Sequence, residues 1–196
     1  MKVIRARDMK SMPWKNGQGV TTEIEISPAG ATLEKDDFLW RISRAEIRSD
    51  GPFSKFPHCD RWLTVLGPDD LKLNGVRQSP LIPFLFSGDD EVFAALDGTA
   101  RITSDIGLIF RRGLVRCEMT VVTVSDVAPY QLDIPCDAMD VVVSLVSDSV
   151  ADVAGVELSF LDTVRFGSDE LDSQIFVSPL QGAAMTVVVA AILGST

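Results

Sequence analysis

The chain has 196 residues, 46% hydrophobic and 23% charged, with three cysteines, one histidine and a formal net charge of −10. This composition excludes a disordered or collagen-like chain, and the acidity disfavours nucleic acid and anionic membrane surfaces as partners. The longest nearly uncharged apolar stretch, Ala183–Leu193, has 11 residues, against about 20 for a membrane-spanning helix. The N-terminal segment carries Lys2, Arg5, Arg7 and Asp8, too many charges for the apolar part of a secretory signal. Cys59, Cys117 and Cys136 are widely spaced without a CxxC pair, which fits reduced thiols. A cytoplasmic protein is the expectation.

The first unusual segment is Pro13-Trp14-Lys15-Asn16-Gly17-Gln18-Gly19. Its glycines permit close backbone approach, and Asn16 offers both a donor and an acceptor. It reads either as a pocket rim or as a turn closed by a buried tryptophan. Strict alternation follows: Val20, Thr22, Ile24 and Ile26 on one face, Thr21, Glu23 and Glu25 on the other. The next strand places Phe38, Trp40 and Ile42 on one side and Leu39, Arg41 and Ser43 on the other. Further strands are expected at 61–66, 71–74, 81–86, 92–96, 108–112, 116–124, 140–147, 156–160, 173–178 and 185–193. Turn signals separate them, among them Asp50-Gly51-Pro52, Gly67-Pro68-Asp69-Asp70 and Ala154-Gly155. The pattern predicts an all-β sandwich or barrel with little helix. Trp62, Phe84, Phe86 and Phe93 read as core.

Charge divides the chain. Residues 1–116 carry 17 Lys and Arg against 16 Asp and Glu, whereas 117–196 carry Arg165 against 12 acids. We expect two lobes, 1–116 with the candidate pocket and 117–196 acidic, packed as one unit. A small anion would be drawn to the first.

One histidine, His58, rules out a metal site that needs two imidazoles from one chain. Cys59 beside it would point to the opposite face of a strand, a poor geometry for a Cys-His pair. Gly17-Gln18-Gly19 precedes a strand instead of opening a helix, so it is no dinucleotide fingerprint. The expected chemistry is metal-free and cofactor-free. Arg41, Arg61 and Arg111-Arg112 sit on strands, and a partly buried guanidinium needs an anionic partner. That partner is either an internal carboxylate, with Asp60, Glu23 and Asp105 as candidates, or a bound ligand.

These residues together resemble the HutD/Ves family. The motifs are Trp14–Ile24, Phe38–Ala45, Gly51–Pro57 with Asp60–Leu66, Pro83–Gly88 and Asp105–Arg112. The resemblance is closer to the HutD branch and implies a bicupin, two β-barrel or sandwich lobes in one chain. It implies ligand-binding roles for Arg61, Arg41, Arg111, Asn16, Glu23 and Ser54. It also implies a link to bacterial histidine utilisation, where the protein would bind a pathway acid and restrain flux. Urocanate, formiminoglutamate or formylglutamate would be the ligand. Gln18, Thr22 and Gly107 depart from the family pattern, where glycine, arginine and asparagine are usual.

The leading expectation is thus a metal-free small-carboxylate-binding protein with a regulatory role, Arg61 serving as the anion anchor. Two alternatives stand beside it. One is a metal-free isomerase or lyase with Glu23 as general base; the other is an interaction module whose acidic lobe meets a basic partner. Exposed sheet edges would also allow a homodimer.

Overall fold

The structure is a computed structural model that describes residues 1–14, 19–125, 128–171, 173–180 and 184–195. It is all-β, and the helical segments among the described residues are two 3-10 turns, Ala6–Asp8 and Ser168–Glu170. No helix among those residues is long and apolar enough to cross a membrane. The chain forms two compact units: Lys10–Val115, and Met1–Met9 together with Arg116–Thr196.

The Lys10–Val115 unit contains a six-stranded sheet in the order Lys10–Pro13, Gly19–Ser27, Trp40–Ile47, Thr103–Arg111, Cys59–Pro68, Phe84–Ser87. A four-stranded sheet accompanies it, ordered Gly51–Pro52, Phe93–Asp97, Asp70–Leu73, Val76–Gln78. Ile47, Leu63, Val65, Leu71, Val92, Ala94 and Leu96 form a buried core, and the partly buried Trp14, Phe53, Phe84 and Phe86 pack against it. Phe93 departs from the expected core: it is half exposed, its strand alternation turning Ala94 and Leu96 inward instead.

The other unit pairs a five-stranded sheet, ordered Lys2–Ile4, Thr163–Gly167, Ala138–Leu145, Met185–Gly194, Val115–Val124, with a four-stranded one. The latter runs Tyr130–Gln131, Phe176–Pro179, Ala151–Val153, Val156–Leu158. Val141, Val143, Leu145, Leu158, Val164, Met185 and Val187 are completely buried in its core. Each such side chain contributes about 1.5–3 kcal/mol by leaving water. In both units a two-residue hairpin ends in glycine: Asn74-Gly75 and Ala154-Gly155 all have positive φ. That is the backbone of a type I′ turn, which glycine adopts without strain.

Residues 1–9 were expected in the N-terminal lobe, but the strand Lys2–Ile4 pairs with Thr163–Arg165. Arg5 clamps Asp162 at 2.8 Å and the N-terminal ammonium meets Glu170. This moves four basic residues, Arg116 included, to the acidic side. The Lys10–Val115 unit then carries 13 basic against 15 acidic residues, and the other unit 5 against 13. The charge contrast is real but milder than the linear sequence suggests. Two strand boundaries also shift: the 81–86 strand starts at Phe84, after Pro83, with Leu81 at positive φ, and the 108–112 strand extends back to Thr103.

Candidate ligand-binding site

Register builds the site. Arg61, Ile109 and Arg41 lie opposite one another across three strands, with Ile26 beyond. The next row on that face is Leu63, Gly107, Ser43 and Glu23; the one after is Val65, Asp105, Ala45, Thr21 and Met12. Opposed residues project from the same face of an antiparallel sheet, so a grid of mixed polarity faces inward. Most of it borders a cavity of about 600 Å³, walled also by Trp14, Leu33, Phe53, Ser54 and Phe56. That size suits a small molecule, as does an apolar wall with few polar groups.

Arg41 is 3% exposed and well matched within the protein. Its Nε donates to Glu23 Oε2 at 2.8 Å and its Nη1 to Ser43 Oγ at 3.2 Å. Arg61 is held differently. Its guanidinium lies 5.3, 5.2 and 4.9 Å from the ring centres of Phe53, Phe56 and Phe86, and Nη1 donates to the Ser54 carbonyl at 3.2 Å. Among the described residues no carboxylate stands within ion-pair distance of it. Desolvation lowers its pKa to about 10, against the pull of the Asp105 charge and with some help from Arg41. It still carries its charge at neutral pH.

Asp105 is the second unusual group, 4% exposed at the far end of the grid. Burial raises its pKa to about 7, opposed by the charge of Arg61, a backbone hydrogen bond from Ala45 and the charge of Arg44. The Trp14 indole closes one side by donating to Thr21 Oγ1 at 2.8 Å. Its ring lies against Gly19, where a Cβ would approach it to 2.8 Å and the Glu46 carbonyl to 2.6 Å. Close backbone approach is therefore what Gly19 provides.

Of the residues expected to bind ligand, the structure brings Arg61, Arg41 and Ser54 to one cavity. Glu23 shares their face, but its carboxylate is tied to Arg41 and it is not part of the cavity wall. Arg111 lies elsewhere. Its guanidinium stacks on Phe38 at 4.8 Å, donates to the carbonyls of Phe38 and Asp36, and pairs with the Asp36 carboxylate. Asn16 and Gln18 fall outside the described residues. Phe53 and Phe56, not singled out individually in the sequence, supply aromatic wall from the segment between Pro52 and Pro57. Asp105 was anticipated only as an internal partner for an arginine. His58 occupies an exposed turn at positive φ, its N–H donating to Asp89 at 3.1 Å. Two guanidinium groups and a single carboxyl suit an anion, not a metal ion. Among the described residues no three His, Cys, Asp or Glu side chains cluster as a metal requires.

Comparison with known proteins agrees with this architecture. The HutD family profile matches residues 6–189. A 21.2 kDa protein in the hutC 3' region of Pseudomonas putida is 41% identical over 115 residues, covering 56% of this chain and 58% of that protein. Protein Ves of Citrobacter koseri is 35% identical over 122 residues, 58% of this chain and 60% of its own length. The matched stretch thus spans less than two thirds of these relatives. Over the whole fold, HutD from Pseudomonas fluorescens superposes with a TM-score of 0.74 at 28% identity, covering 98% of this chain and 99% of that one. A conserved protein of unknown function from Pseudomonas aeruginosa gives 0.77 at 27%, covering 98% of each. Bacterial pirin YhhW of Escherichia coli, solved with nickel(II), shares the fold at 10% identity, with a TM-score of 0.64 over 100% and 99% of the two chains. The fold is that of the cupins, as expected, and from residue 6 to residue 189 the sequence follows one family: the chain is a member of the HutD family.

Proposed function

We propose that this protein binds a small carboxylate metabolite of histidine utilisation in the Lys10–Val115 unit and reports its level. Arg61 carries the reading. It is a charged, largely desolvated guanidinium in the wall of a 600 Å³ cavity, with aromatic rings and a carbonyl around it instead of a carboxylate. A charge withdrawn from water without a counter-ion is costly, so an entering anion relieves that cost. Planar bidentate geometry makes arginine well matched to a carboxylate. Arg41 adds positive potential without being the anchor, because Glu23 and Ser43 already occupy it. Family membership, and a relative named for the hutC 3' region, support the link to histidine utilisation.

The test is a thermal-shift panel of urocanate, formiminoglutamate, formylglutamate, glutamate and formate, run on wild type and Arg61→Ala. A ligand at 100 times its Kd adds about 2.7 kcal/mol of apparent stability. For a chain of this size that raises Tm by roughly 5–10 °C. The shift is expected with at least one pathway acid in wild type and none in Arg61→Ala. A flat wild-type panel, or equal shifts in both proteins, overturns the reading.

A further inference from the structure

The cavity has two chemically opposite ends. Arg61 and Arg41 lie in one row of the sheet, and Asp105 lies two rows away, with Ala45 next to it and Thr21 beyond. Ile109 and Asp105 stand four residues apart on one strand, so those rows are about 13 Å apart along the sheet. Between them the floor drops at Gly107, flanked by Ser43 and Leu63. A Cβ on Gly107 would meet nothing closer than the Trp62 carbonyl at 3.8 Å, and Leu63 continues the floor as an apolar surface. A flat group fits over such a floor.

The acid end selects by hydrogen bonding. An ionised carboxylate only accepts and has about four acceptor sites. The Ala45 N–H supplies one donor to Asp105. Thr21, across Ala45 in the same row, accepts the Trp14 indole N–H. A ligand group settling between Asp105 and Thr21 is therefore matched if it carries an N–H. An ether-like oxygen there would face a carboxylate lone pair, and a C–H would leave the buried acceptor unsatisfied.

We propose that the site takes a two-ended ligand, whose carboxylate meets Arg61 and whose N–H, on a planar ring or amidine, is read by Asp105. This inference rests on the carboxylate-binding reading above and names the ligand class for the same cavity. Asp105 acts as a specificity residue, whereas Arg61 acts on every acid. The charges acting on Asp105 are Arg61 from the Cys59–Pro68 strand and, from the other face of the sheet, Arg44 on the Trp40–Ile47 strand. Both favour its ionised form.

Two size-matched probes separate the roles: urocanate, an imidazole acrylate, and 3-(2-furyl)acrylate, which keeps ring and carboxylate but has no N–H. Calorimetric affinities are taken at pH 8, where an ordinary imidazole is neutral and still donates. Wild type is expected to prefer urocanate by roughly tenfold or more. Asp105→Val and Asp105→Ala, which remove every side-chain acceptor and are measured in parallel so that a folding failure in one leaves the other, are expected to bring that preference below about threefold. Arg61→Ala is expected to lose both probes. Equal wild-type affinities, or a preference that survives loss of the Asp105 carboxyl, overturn this inference and leave the carboxylate reading intact. No binding of either probe to wild type overturns both.

Discussion

The two units share an architecture and differ in what they put between their sheets. In the Met1–Met9 plus Arg116–Thr196 unit, the strand Ala138–Leu145 turns Val141, Val143 and Leu145 into a closed core with Leu158, Val164 and Val187. In the Lys10–Val115 unit, the strand Trp40–Ile47 turns Arg41, Ser43 and Ala45 towards the 600 Å³ cavity. The first unit has its own smaller hollow of about 320 Å³, but Glu118, Asp133 and Tyr130 line it without any basic residue. One two-sheet plan thus yields a packed scaffold in one case and a cavity walled by two guanidinium groups in the other. The difference lies in a few inward positions of the strands, not in topology.

That contrast is strongest where packing is tested. Leu145→Ala or Leu158→Ala, each removing a completely buried side chain, is expected to cost about 2–5 kcal/mol in denaturant unfolding. Ser54→Ala, at an exposed position on the cavity wall, should cost about 0.5 kcal/mol at most. Similar losses for the two classes would break the comparison.

Asp105 sharpens it through pH. Its folded pKa is raised to about 7 from an ordinary value of 3.8 by burial. Between those values the folded state binds more protons than the unfolded state. Its contribution to stability is therefore complete below about pH 4 and is lost as pH rises through 7. Asp105→Asn is expected to be more stable than wild type at pH 8, on the order of a few kcal/mol, and to lose that advantage near pH 4. Equal stability curves from pH 4 to pH 8 would contradict the assignment.

Smaller effects follow at the floor and the rim. Gly107→Val fills open space in a strand interior, where glycine is intrinsically weak. It should change stability by less than about 1 kcal/mol while lowering acid affinity roughly tenfold or more, as measured by calorimetry. Arg111→Ala should leave acid affinity within about twofold, because its partners are Asp36 and Phe38, outside the cavity wall.

Much of the site was legible in alternation. Placing Arg41 and Ser43 opposite Trp40 and Ile42 required only the two-residue period of a strand. The same rule failed at Ile26. A bulge between Glu23 and Glu25 inserts a residue, so Glu23 and Ile26 end on one face, opposite Ser43 and Arg41. A local irregularity of that kind leaves no mark in a hydrophobic pattern. Arg111 was misplaced for another reason: its partner comes from the loop ahead of Phe38, and loop geometry has no period to read. The strand Lys2–Ile4 pairs across more than 150 residues, a contact that three charged and apolar residues cannot announce. Asp105 was visible as a carboxylate near arginines, but only the fold shows it buried at one end of the cavity.

The most direct measurement is calorimetric titration of urocanate into wild type and Arg61→Ala, read for the number of molecules bound per chain. One molecule per wild-type chain is expected, lost in Arg61→Ala while the variant retains its cooperative melt. Two molecules per chain, or one that survives in Arg61→Ala, would place the acid elsewhere and contradict the division between site and scaffold.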